Sequence, residues 1–529
     1  MTADLDTLSR RDYPSAGEVL PDPAHPGGDA GPVAGRAADP FEHSRELFER
    51  QLAWAEGAEA AGLEHGELEA RLGRDARELF CQIYQDHLDL RAVRERPIEH
   101  GVLGSDGVRR GCVERRRRRS LQTVFGEVHV SRIAYRAKAH SNLCPADGAL
   151  NLPAEKHSHG LRRLCAVEAA RGSYEDAQTA VGRACGQQLG KRQIEQLANA
   201  AAVDFESFYE QRASSLVAPG DVLVLSCDGK GVVMRHDALR PATAKAAERA
   251  SPKLDTRLSK GEKPNRKRIA EIGAVYEVKT APRTSAEVLA PSTEKTLPPP
   301  KATNKWLCAS VVENAATVVA DLFDEACRRD GEHQHAWVAL VDGNNHQIDR
   351  IKTEAKKRKV TVKIVVDLIH VLEYLWGAAW CFYDEGDPAA EQWVHEKALA
   401  ILEGKAGIVA AAIRRKATHR GLERDQRIKA DRAADYLHNK APYLDYPSAL
   451  ANGWPIATGV IEGACRHLVK DRMDITGARW GLPGAEAILK LRAIITNGDV
   501  NAYWTYHLTR ERERAHVSRY PDGLIPTTR

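Results

Sequence analysis

The chain has 529 residues, enough at roughly 100–200 per domain for three or four domains. Hydrophobic residues make up 43%, which supports real cores, and no apolar run reaches the roughly 18 residues that a membrane-spanning helix needs. Net charge is only +4, but it is clustered: residues 109–119 hold seven Arg against one Glu, and residues 235–268 hold eleven Lys and Arg against four Asp and Glu.

Such blocks suit a polyanionic partner such as nucleic acid, although a solvated, flexible face carries the same composition. The N-terminus lacks the basic-then-apolar pattern of a signal peptide, so the chain is read as cytoplasmic, and as nucleoid-associated if the partner is DNA. Ten Cys are scattered with no CxxC pair and are read as reduced, mostly buried thiols. A zinc site from Cys112, His129, Cys144 and His157 is conceivable, but the spacing matches no ligand pattern.

Residues 1–42 are rich in Pro, Gly, Ala and Asp without periodicity, which predicts a disordered tail. Residues 43–119 read as a helical N-terminal region, with Leu47, Leu52, Leu68, Leu72, Leu79 and Leu88 among Glu and Arg, and with Gly62 to Gly66 dividing it into two helices. Residues 120–215 begin with a β-rich stretch, 120–135, whose Phe125-Gly126-Glu127 predicts a hairpin turn. Helical spacing of Leu161, Leu164, Val167, Ala170, Tyr174, Ala177 and Val181 follows. Gly186 stops it, and a polar helix opens at Gly190 with Lys191 and Arg192. Helix, glycine-bearing turn and basic helix fit a helix-turn-helix, although a plain helical pair reads the same way. The candidate DNA contacts are Arg115, Arg116, Arg117, Arg118, Arg119, Lys191 and Arg192.

The centre, 216–370, changes character. Apolar runs at 222–227, 269–278, 306–312, 336–341 and 360–366 predict five strands, with a basic, Pro-containing loop at 237–267 and helices at 315–328 and up to 359. Residues 371–455 read as nearly all helix. Residues 456–529 hold one more helix, 459–473, and a tail that is aromatic, then charged, then irregular.

Two of the apolar runs end in Asp-Gly, at Asp228-Gly229 and Asp342-Gly343. An acid at the end of a buried strand is held rigidly yet exposed at the sheet edge, where ligands of open α/β sheets collect. Two such acids on neighbouring strands can bind hard divalent cations, and Mg²⁺ needs few protein ligands because it keeps its waters. Glu462 is the candidate third acid. Glu462, Arg466 and Lys470 recur at four-residue spacing, which puts them on one helical face, with Arg466 and Lys470 placed to meet DNA; a solvent-facing ion-pair ladder has the same spacing. Asp367 also follows an apolar strand, but it runs straight into Leu368, Ile369, His370 and an apolar helix. Asp342 is therefore preferred as the metal ligand, and Asp367 as a residue that positions His370 or a metal water.

Phe125-Gly126-Glu127-Val128, Leu152-Pro153, Ser173-Tyr174 with Ala177, Cys227-Asp228-Gly229, Val341-Asp342-Gly343, Asp367-Leu368-Ile369-His370 and Gly459-Val460-Ile461-Glu462-Gly463 occur in an order and spacing that resembles the insertion-sequence transposases of the ISKra type, within the Mutator-like group of DDE transposases. The resemblance covers about residues 75–505. It implies a catalytic triad at Asp228, Asp342 and Glu462, a signature pair at Asp367 and His370, and a helical domain inserted before the final Glu at about 371–455. The family's paired cysteines after the hairpin are reduced here to Cys144. The strand and helix order agrees with an α/β fold: an RNase H-like core with a mixed five-stranded sheet, interrupted by an all-α insertion and preceded by a mainly helical DNA-binding region. The expected chemistry is two-metal phosphoryl transfer with Mg²⁺ or Mn²⁺, Asp228 bridging two ions and Asp342 and Glu462 each holding one. The expected partners are transposon ends and target DNA, with a dimer or larger assembly pairing two ends. A nuclease or resolvase on the same fold, or a domesticated DNA-binding protein with a spent site, are the competing readings.

Overall fold

The computed structural model describes residues 39–249, 266–290, 300–457 and 459–527. All but the last four residues of the expected N-terminal tail, and the middle of the basic stretch at 237–267, lie outside the described residues.

Helices α1 (Glu42–Ala55) and α2 (His65–Arg94) flank the expected break. Ser44 fastens one to the other, donating through its backbone N and Oγ to the buried carboxylate of Asp86 at 3.1 and 2.5 Å. The hairpin is longer than its sequence suggested. Strands β1 (Cys112–Gln122) and β2 (Glu127–Arg136) pair antiparallel, so the arginine run lies within a strand rather than ahead of it. The register slips between Glu114 and Arg117, and Arg116 takes a φ of 58°. This is a bulge, which twists a crowded row of like charges out of regular pairing. Leu121, Val128 and Val130 bury the other face of the ribbon against Leu88 and Leu152.

The helical pattern at 161–181 is broken in two, α3 (His159–Arg171) and α4 (Tyr174–Cys185). The cause is Ser173, whose hydroxyl accepts from Asp176 N at 3.1 Å while Asp176 accepts from Ser173 N at 3.0 Å, a capping box that starts a new helix. Gly186, at φ 74°, ends α4 in the left-handed conformation, and α5 (Lys191–Ala201) and α6 (Phe205–Gln211) follow.

Five strands form one mixed sheet: β3 (Asp221–Val233), β4 (Lys267–Lys279), β5 (Ala302–Ser310), β6 (Trp337–Val341) and β7 (Val362–Val366), in the order β5-β4-β3-β6-β7. β3, β4 and β5 pair antiparallel, whereas β3, β6 and β7 pair parallel. Part of the stretch read as loop is helical: α7 (Pro241–Arg249) starts on a proline, which costs nothing at a helix's first turn, and continues on four alanines. Helices α8 (Ala315–Arg329) and α9 (Asn345–Arg358) make the parallel crossovers. Gly273 lets α8 approach closely, because a Cβ there would lie 2.6 Å from Leu322.

Helices α10 (Leu368–Ala379), α11 (Pro388–Leu402), α12 (Ala406–His419) and α13 (Arg424–Lys440) fill the expected helical stretch. They are tied to the sheet by Tyr446, whose hydroxyl donates to Val366 O at 2.8 Å. Helix α14 is composite: α-helical over Gly459–Ala464, a π-helix over Cys465–Lys470, and α-helical again over Asp471–Met473. The tail is more ordered than expected. Beyond α15 (Leu482–Thr496), residues 500–515 form α16 (Val500–Ala515). Its aromatic half is buried on α5 and α6: Tyr503 donates to Ala201 O at 2.7 Å, and Asp204 accepts from His507 and Arg514. Among the described residues no helix is long and apolar enough to cross a membrane.

Candidate active site

The sheet brings three of the singled-out acids to one edge. Parallel pairing of Leu225 with Ala339, carried on three residues, sets Asp228 beside Asp342. Pairing of Val341 with Val366, carried on one, sets Asp342 beside Asp367, and Asp367 N donates to Val341 O at 2.8 Å. Asp228 is not at a strand end, since β3 stays paired with β4 through Val233. Asp342 does end its strand: Gly343 turns away at φ 91°, and Tyr436 from α13 packs on the turn and donates to Asp342 O at 2.8 Å.

Each carboxylate is fixed locally. Asp228 Oδ1 accepts from Gly229 N at 2.6 Å and Asp342 Oδ1 from Asn344 N at 2.7 Å. Asp367 Oδ1 accepts from Ile369 N at 2.7 Å, capping α10. Asp228 and Asp342 are half-buried, while Asp367 is only 3% exposed. His370 lies one turn into α10, partly exposed, with Nδ1 3.2 Å from Glu373 Oε2.

Glu462 is exposed on α14. What brings its helix to the sheet is a residue that the sequence did not single out. Cys465 donates from Sγ to Asp228 Oδ2 at 3.1 Å. Burial first, and then the charges of Asp228 and Glu462, push the Cys465 thiol far above its ordinary range. Cys227 is pushed up by burial and then by Asp342, Glu271 and Asp228, so a single buried thiol feels three carboxylates from three strands. Glu271 is a second residue that was missed. Half-buried on β4, it has its pKa raised, by burial first and also by Asp228, with His346 and Arg240 opposing. A signal was available: Glu271 is an acid inside the apolar run 269–278. Perturbed groups of this kind gather at functional sites.

The shared face expected for Glu462, Arg466 and Lys470 rested on α-helical spacing, which the π turn alters from Cys465 onward. Arg466 lies 3.6 Å from Asp471, five residues on, and both Arg466 and Lys470 are exposed.

The hairpin arginines differ among themselves. Arg115, Arg116, Arg117 and Arg118 are exposed, with Arg117 paired to Glu114 at 3.0 Å. Arg119 turns inward and donates to Pro153 O and Glu155 O at 2.9 and 2.6 Å, and burial lowers its pKa. Lys191 and Arg192 are exposed at the start of α5, Lys191 at 2.8 Å from Glu175. The Cys112, His129, Cys144 and His157 set does not converge. Cys112 pairs with Arg136 at one end of the hairpin and His129 with Ser120 near the other, roughly 25 Å apart at about 3.3 Å per residue.

A scan against protein-family models and a search of curated proteins both find no match for the chain. The site is therefore judged on its own chemistry. Among the described residues no group of three or more His, Cys, Asp or Glu side chains is closed into a metal cage. The donor set at the sheet edge nonetheless suits a hard cation. Asp228 and Asp342 sit on or just past neighbouring parallel strands, and Mg²⁺ typically takes one or two carboxylates, completing its shell with water and substrate phosphate.

Proposed function

We propose that the chain is a DDE-type DNA transposase of the ISKra type, acting on the ends of an insertion sequence. The observation that carries the reading is the juxtaposition at the sheet edge: Asp228 within the central strand, Asp342 at the end of the next parallel strand, and the Glu462 helix hydrogen-bonded to Asp228 through Cys465. The strand order third-second-first-fourth-fifth, with only the second strand antiparallel to the others, supports an RNase H-like core. Helices α10 to α13, lying between β7 and the Glu462 helix, suit an all-α insertion.

In this reading Asp228, Asp342 and Glu462 would hold Mg²⁺ or Mn²⁺, which would supply a lowered pKa at the attacking oxygen and charge neutralisation at the leaving oxygen of the phosphodiester. The chain's own part is to orient. Gly229 N and Asn344 N hold one oxygen of Asp228 and Asp342, leaving the other of each for a ligand or a neighbour. Cys465 holds the second oxygen of Asp228, and buried Asp367 caps the start of α10, the helix that carries His370, the residue that would contact a substrate phosphate in this reading.

Arg115, Arg116, Arg117 and Arg118, with Lys191 and Arg192, supply the positive surface for transposon ends and target DNA. Arg119 is left out of this surface because its guanidinium is engaged by backbone carbonyls. Pairing two ends calls for two copies.

Incubation of the purified chain with its own element's ends and Mg²⁺ is the deciding experiment. Nicked ends followed by joined products are expected. Nicking without joining points to a nuclease, and binding without either to a protein with a spent site.

A further inference from the structure

A cavity of about 700 Å³ lies away from the acidic edge, where three parts of the chain meet. One wall is the helix pair, with Tyr174 from the start of α4 and Lys191 and Arg192 from the start of α5. Arg235, just past β3, forms the second, and Arg472, at the end of α14, with Arg479 beyond it, forms the third. The walls are locked together. Residue 480 pairs with the end of β3, Trp480 N donating to Val233 O at 3.1 Å and Arg235 N to Trp480 O at 2.8 Å.

Five cations line the cavity with one acid, Glu195, and Lys191 also pairs with Glu175 at 2.8 Å outside it. Lys191, Arg192, Arg235 and Arg479 are exposed, whereas Arg472 is only 2% exposed. Its guanidinium lies between two rings, 4.7 Å from the centre of Trp480 and 5.2 Å from that of Tyr174. Arg472 Nε donates to Ala169 O at 2.9 Å, but Nη2, buried, has no hydrogen-bond partner, and neither has the buried hydroxyl of Tyr174. A buried guanidinium N–H without an acceptor is costly, and an anion would satisfy it.

We infer that this cleft holds a backbone phosphate of the bound DNA, with Arg472 as the buried anchor and Lys191, Arg192, Arg235 and Arg479 around it. The inference rests on the DNA-binding part of the proposed function. At about 700 Å³ the cleft is a local pocket, within the roughly 300–1,000 Å³ of ligand sites, rather than an extended groove. It also has a fixed distance from the acids. Asp228 and Val233 are five residues apart on one strand, about 17 Å at roughly 3.3 Å each. Glu462 and Arg472 are ten apart on one helix, about 15 Å at roughly 1.5 Å each. A duplex strand rises about 3.4 Å per nucleotide along the axis and also winds around it, so either path corresponds to only a few nucleotides. The cleft therefore grips the strand one short step from the phosphate that reacts, and links the helix pair to the catalytic elements through the DNA.

The test measures affinity of the full chain for a labelled duplex of its element's end against salt concentration. Arg192→Ala with Arg479→Ala removes two exposed charges and should lower the slope of log affinity on log salt by up to about 0.9, the value for the one phosphate that the cleft holds. Arg45→Ala with Arg50→Ala, a charge-matched pair on α1, should change it far less. Arg472→Lys, which keeps the charge but not the fork, should weaken binding several-fold, and Glu195→Gln should tighten it. Equal loss in the two doubles, or an unchanged slope, overturns the cleft. So does a rise in Tm with inorganic phosphate as large as that with duplex, which marks a site for free anions. Wild-type chain that binds no duplex overturns both readings, whereas cleft-dependent binding without cleavage overturns only the catalytic one.

Discussion

The acidic edge of the sheet and the arginine run of the hairpin are both dense clusters of like charge, and the structure treats them in opposite ways. At the edge the three aspartates are tied down: Asp228 to Gly229 and Cys465, Asp342 to Asn344, Asp367 to Ile369. On the hairpin, Arg115, Arg116 and Arg118 project into solvent, and among the described residues no ion pair engages them. The contrast fits the roles proposed for the two clusters. Groups that hold a metal and a reacting phosphate must be placed within a fraction of an ångström. Groups that attract a polyanion need only be exposed and charged, because the gain comes from released counterions and not from a fixed geometry.

The comparison can be broken most directly at the edge. Asp228→Asn, Asp342→Asn and Glu462→Gln should each lower cleavage by at least about 10³-fold, a loss of roughly 4 kcal/mol of transition-state stabilisation, with duplex affinity within about twofold of wild type. Rates on labelled ends in Mg²⁺ check this, and near-normal nicking removes a residue from the set. The hairpin should respond the other way. Arg115→Ala, Arg116→Ala and Arg118→Ala combined should cut the salt slope of binding by about 2.7 and weaken affinity, while the cleavage rate at saturating DNA stays near wild type. A lost rate at saturation would mean that the run positions DNA rather than merely attracting it. The smallest effect is expected at Asp367. Asparagine caps a helix as well as aspartate does, so Asp367→Asn should leave Tm unchanged and slow cleavage only several-fold, with partial rescue by Mn²⁺. Asp342→Asn should not be rescued. The reverse pattern would make Asp367 the ligand.

The five strands were legible because each is an apolar run bounded by polar residues, and the two Asp-Gly ends stood out against them. Boundaries moved where a local signal misled. Pro241 and the surrounding basic residues looked like loop, although the alanines between them favour a helix. Ser173 looked like one more helical residue until its bond to Asp176 started a new helix. The tail after 497 read as irregular because α16 is stabilised by distant partners, Ala201 and Asp204, rather than by its own periodicity. The same holds at the site. Cys465 lies 237 residues from Asp228, and no spacing rule connects them. Glu271 was readable in principle, as an acid in an apolar strand, but its neighbourhood with Asp228 depends on which strand pairs with which.

The wide turn at Cys465–Lys470 has a consequence for how the two ends of its helix are geared. Glu462 precedes it, exposed on the turn before Cys465; Arg472 follows it and lines the basic cleft. Each residue of an α-helix advances the face by about 100° and the axis by about 1.5 Å. Winding the same residues as an ordinary α-helix would therefore swing Arg472 roughly a quarter-turn away from Tyr174 and Trp480 while Glu462 kept its place. The turn acts as a phase setting: it lets one rigid rod present an acid to one region and a guanidinium to another at an angle that regular winding does not supply.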